Sequence, residues 1–180
     1  MLYRHAPAGL ATTVGVALLL GAAVYGRVPT ATVLAWLSIL LLIIAGRYGL
    51  LRRYRSAPDA ESNSVSWSRR YVHTAAITGL AWGVGGSVFA SLSSGEHRTL
   101  VLLIVAAMSA CAIAYLASVL RAYVGYVLGV ALPLLGWFVF ESEMPVFVLA
   151  LLTCAFVAAM CLAARRLNGL RSEEHTSELQ

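Results

Sequence analysis

Apolar and polar residues fall along this chain in long blocks. Six apolar runs can be delimited, at 10–26, 31–46, 74–92, 99–118, 123–140 and 146–164. Each approaches the ~20 residues that a helix needs to cross a hydrocarbon core of about 30 Å. Open strands would leave backbone groups unpaired in lipid, so the runs predict helices. The first run, with Arg4 before it, has the outline of a secretory signal. Five further runs follow, which makes an uncleaved first span the better reading. The pattern therefore predicts an all-α integral membrane protein, a bundle of about six transmembrane helices.

The polar blocks between the runs set the orientation. Arg4, Arg47, Arg52, Arg53, Arg55, Arg69, Arg70, Arg121, Arg165 and Arg166 fall on one side, against Arg27 and Arg98 on the other. Loops rich in arginine stay in the cytoplasm, which puts both termini there and predicts a multi-pass protein of the bacterial inner membrane. The outer connections are short: RVPT, SSGEHR and ESEMP. The inner stretch at about 47–73 is the one substantial polar block. Its middle, SAPDAESNSVS, reads as a flexible linker.

Composition agrees. Of the 180 residues 60% are hydrophobic and 12% charged, whereas soluble domains carry about a quarter charged. The formal charge of +5 is made with 13 arginines and no lysine, as GC-rich coding would give. These cations flank apolar runs, so the partner they imply is the lipid bilayer and not nucleic acid.

Small residues mark expected helix contacts. Gly79 and Gly83 in the third run, and Gly125 and Gly129 in the fifth, have the spacing that lets helices approach closely in lipid. Packing inside one bundle is the favoured use and dimer contact the alternative. Pro133 should kink the fifth span.

Candidate chemistry is sparse. Cys111, Cys154 and Cys161 lie in apolar runs and read as small buried hydrophobes. His5, His73 and His97 are expected in different loops. Ser93, Ser94, Glu96 and His97 form a polar turn better than a hydrolase site. Glu96, His97 and Arg98 could sense external pH, with an ordinary solvated loop as the simpler reading. Trp36, Trp82 and Trp137 could line a pigment or quinone pocket, but packing is the commoner role. No ionisable residue is expected at membrane depth, which argues against a pump or a charged-solute transporter. No catalytic, cofactor-binding or metal-binding residue is assigned, and no cofactor.

Several short stretches taken together carry a family likeness. YRHAPAGL, LAWGVGG, EHRTLV, AAMSACAIAYLAS and the AY…LP of the fifth run resemble the N-terminal membrane sensory regions of bacterial diguanylate cyclases. Similar regions occur in some membrane histidine kinases. The resemblance implies that AARRLNGL leads into a signalling helix, and that a cytoplasmic output domain follows. That domain is commonly a GGDEF domain making cyclic di-GMP, and it works as a homodimer. Neither a GGDEF motif nor a kinase histidine box is present in these residues, so no enzymatic activity is expected of them. Residues 1–170 are thus expected to be a truncated sensory region. A complete small membrane protein, acting as a neutral-solute carrier or a structural partner, is the alternative. The last ten residues, RSEEHTSELQ, resemble a short-read sequencing adapter translated in frame and are read as foreign to the native protein.

Overall fold

A computed structural model describes residues 6–56, 64–116, 119–140, 151 and 154–166. Every element in them is helical. In chain order they are α1 (Ala6–Ala23), α2 (Thr30–Ser56), α3 (Ser64–Leu92), α4 (Gly95–Cys111), α5 (Ile113–Leu116) and α6 (Leu120–Phe140). Residues 154–166 are helical as well. Four stretches are long and apolar enough to cross a membrane: Thr30–Tyr54, Ser66–Leu92, Gly95–Leu116 and Leu120–Phe140. The third joins α4 to α5 through Ala112, whose backbone stays in the right-handed helical region. Four helices of this kind support a multi-pass membrane protein. The start of the expected last span, the ESEMP connection and the final ten residues lie outside the described residues.

Tight turns at the arginine-poor end bring consecutive helices together. Gly26 and Gly95 adopt φ of +73° and +55° there, the region that disfavours a Cβ. Val28 is buried under the first of these turns. At the arginine-rich end the sequence expectation needs correction. The 47–73 block is largely helical, because α2 continues to Ser56 and α3 begins at Ser64. Arginine and tyrosine are compatible with helix, and Tyr54 meets Trp67 edge-on at 5.5 Å to bring the two extensions together. Only 57–63 of the predicted linker lies outside the described residues.

The bundle is organised about α3. Its most extensive partner is α6, running parallel to it. Gly79 lies against Tyr126, Gly83 against Gly129 and Val130, and Gly129 against Ala76 and Leu80. A Cβ on Gly79 would overlap the Tyr126 carbonyl oxygen, and one on Gly129 would lie 2.6 Å from that of Ala76. Gly79, Gly83 and Gly129 thus meet within one chain, while Gly125 packs against Ala76 and Val72 at ordinary contact distance. Such backbone contact gathers the dispersion energy that replaces water exclusion in lipid.

On its other side α3 meets α2, antiparallel. Trp36 makes edge-on contacts with Trp82 and Phe89 at 5.3 and 5.2 Å. Its indole N–H donates to the Ala81 carbonyl at 2.9 Å and fills the space that Gly85 leaves. These tryptophans are packing residues. Outside this core Leu19, Leu42, Leu103 and Leu132 are more than half exposed. So much exposed leucine suits a lipid-facing surface.

Candidate functional site: a polar cluster within the bundle

Arg47 sits about 26 Å along α2 from Thr30, inside the apolar stretch Thr30–Tyr54. The sequence puts Arg47 at the start of the inner polar block, whereas the helix continues past it to Ser56. Arg47 follows the run LLIIAG, where the apolar pattern meets its first charge. Helix α2 instead carries one buried stripe through Trp36, Leu40, Ile44, Arg47, Leu51 and Tyr54, with Arg47 as its polar member. Its guanidinium is half-buried, donates from Nη1 to Thr78 Oγ1 at 3.2 Å, and lies 5.8 Å from the Tyr71 ring centroid. Thr78 in turn donates to the Thr74 carbonyl at 2.7 Å.

Other elements converge on the same place. Thr13 of α1 donates to the Gly9 carbonyl at 2.7 Å. Thr12 is hydrogen-bonded to Tyr115 of α5. Gly9 lies flat against the Tyr115 ring. From α6 comes Tyr126, 2% exposed, whose hydroxyl has no hydrogen-bond partner among the described residues. Together Thr13, Arg47, Tyr71, Thr78, Tyr115 and Tyr126 border a chamber of about 20 Å³. That is the size one water occupies. A buried hydroxyl left without a partner costs roughly 1–3 kcal/mol, and the chamber beside Tyr126 has room for one water to serve it. One helix further, Tyr123 donates to the Ser109 carbonyl at 3.3 Å and ties α6 to α4.

The residues weighed from sequence are scattered by comparison. Arg98 turns back from α4 to cap α3. Its Nε donates to the carbonyls of Ala90 and Ser93 at 3.2 and 3.4 Å, and its guanidinium rests 5.5 Å from the Trp137 ring centroid. Glu96 and His97 occupy the first turn of α4 and belong to a helix start, not to a loop. Ser93 is buried and Ser94 is exposed at the N-cap of that helix. His73 is exposed on α3, remote in sequence and structure from His97, and His5 lies outside the described residues. Cys111 and Cys154 are exposed and Cys161 half-buried, which corrects their reading as buried hydrophobes: they face outward from the bundle.

An apolar cleft of about 330 Å³ runs between α4, α6 and the 154–166 helix, past Ser109, Val130 and Val157. Ala164 is fully buried, whereas Phe156, Val157 and Met160 are only half-buried. Ala164, Val157 and Met160 are the members of this helix that join the core. Comparison with protein-family models, curated proteins and solved structures finds no match for the chain.

Proposed function

We propose that the chain is a membrane-embedded sensory and transducing region. In its parent protein it would regulate a C-terminal cytoplasmic output domain, of the diguanylate cyclase kind, within a homodimer. In this reading the chain crosses the bacterial inner membrane about six times, with both ends in the cytoplasm.

The observation that carries the reading is the polar cluster around Arg47. Polar groups are costly in a membrane interior and mark functional positions there. This cluster draws side chains from α1, α2, α3, α5 and α6, so a shift of one helix is felt by the others. Switching in membrane bundles needs two packings of similar energy. The apolar cleft between α4, α6 and the 154–166 helix leaves room for a second packing. The resemblance described above supplies the output domain. Sequencing native DNA across codon 170 tests the proposal. An open frame running into a GGDEF domain is the expected result, a kinase domain would redirect it, and a stop codon would overturn it.

A further inference from the structure

Toward the arginine-rich end a groove of about 420 Å³ runs beside the contact between α2 and α3 and is open to the surroundings. Its chemistry is graded along its length. Arg70 and His73, both exposed, stand toward the arginine-rich end, with Arg47 at the wall. Ile43 and Ile77 line the part nearer the middle of the bundle, where Ile77 is 50% exposed. Gly46 forms the floor, and a Cβ built on it would meet no atom within 4 Å. Arg70 is steadied by Trp67, its guanidinium 5.3 Å from the ring centroid, and Trp67 contacts Tyr54. Tryptophan and tyrosine favour the headgroup level of a bilayer. Arginine at one end and an apolar trough at the other form one amphiphilic surface, in the order of a phospholipid's headgroup and tail.

We infer that this groove is a binding site for an anionic phospholipid of the inner leaflet. The headgroup phosphate is met by Arg70 and His73, beside the guanidinium of Arg47, and an acyl chain lies over Gly46 between Ile43 and Ile77. Charge complementarity selects the anionic class, because basic recesses between spans on the cytoplasmic side attract such headgroups. A zwitterionic lipid carries the same tail but brings its own cation toward Arg70. The inference rests on the membrane placement and arginine orientation proposed above, and it is independent of the output domain. The sequencing test and the one below can therefore fail separately.

The test uses the 180-residue chain extracted from vesicles of equimolar phosphatidylglycerol and phosphatidylcholine, with retained lipid measured by native mass spectrometry. Phosphatidylglycerol should be retained over phosphatidylcholine by roughly tenfold. The double variant Arg70→Gln, His73→Gln changes exposed residues only and should bring that ratio close to one. Gly46→Leu extends into open space, so the helix should keep its stability while retention of phosphatidylglycerol falls. An even ratio in the unaltered chain would overturn the inference, as would a preference that survives the double variant. Complete displacement of the lipid by inorganic phosphate would overturn it too, because the tail would then contribute nothing.

Discussion

Two seams of helix α3, against α6 and against α2, use glycine in opposite ways. Against α6, Gly79, Gly83 and Gly129 bring backbones into contact, and no Cβ fits at any of the three. Against α2, Gly46 faces open space, while Gly85 on α3 accommodates one indole ring, that of Trp36. The first seam is backbone on backbone at its centre, with side chains meeting on either flank. The second is held at one end by the Trp36 cluster, at its middle by Arg47 and Thr78 and at the other end by Tyr54 and Trp67, and the groove lies open beside it. Glycine in a membrane helix thus marks either the closest approach in a bundle or a place nothing covers. Spacing alone does not separate the two.

Substitutions along the seams should separate them. The largest effect is expected for Gly79→Val, which forces α6 away from α3. Overpacking of this kind costs about 1–3 kcal/mol and more where the obstacle is backbone, so the variant should unfold early in a detergent denaturation series. A stability equal to the parent chain would show that the α3–α6 contact is not made. Next comes Trp36→Phe, which loses the bond to Ala81 and part of the aromatic cluster. A loss of about 1–2 kcal/mol is expected by the same measurement. Thr78→Val removes the acceptor for Arg47 and should cost about 0.6–1 kcal/mol, the usual range for a side-chain bond between spans. The smallest change belongs to Gly46→Ala. Helix propensity favours alanine by up to about 1 kcal/mol, so this variant should match or exceed the parent chain. A marked loss there would close the groove and erase the contrast between the seams.

Much of the fold was legible because lipid imposes a simple rule. Runs of apolar residues near membrane length predict helices, and the four long ones were found where expected. The Gly79/Gly83 and Gly125/Gly129 spacings pointed to the tight seam, since the small side chains that permit close approach are visible in the letters. Arg47 was hidden by the same rule. A hydropathy window treats the first arginine as the end of a span, whereas a guanidinium with a hydroxyl and a tyrosine ring beside it can remain within one. The signal was present in Leu51 and Tyr54, which continue the buried stripe of α2 at helical spacing beyond the charge. Tyr126 gave no such sign. In sequence it is one aromatic among apolar neighbours, and its orphaned hydroxyl appears only when α1, α2 and α3 close around it.

The wedge of Trp36 under Gly85 has a mechanical consequence. Arg98 clasps α3, α4 and Trp137 at the same end of the bundle, so that end resists splaying. Trp36 then serves α2 as a fulcrum. The ten residues from Gly85 to Ala75 set the groove about 15 Å along the lever from that pivot. A tilt of a few degrees there widens or narrows the groove by roughly 1 Å, because displacement grows with distance along a rigid helix. The width of the groove is thereby tied to the angle between two rods, and that angle to where a single indole ring is placed.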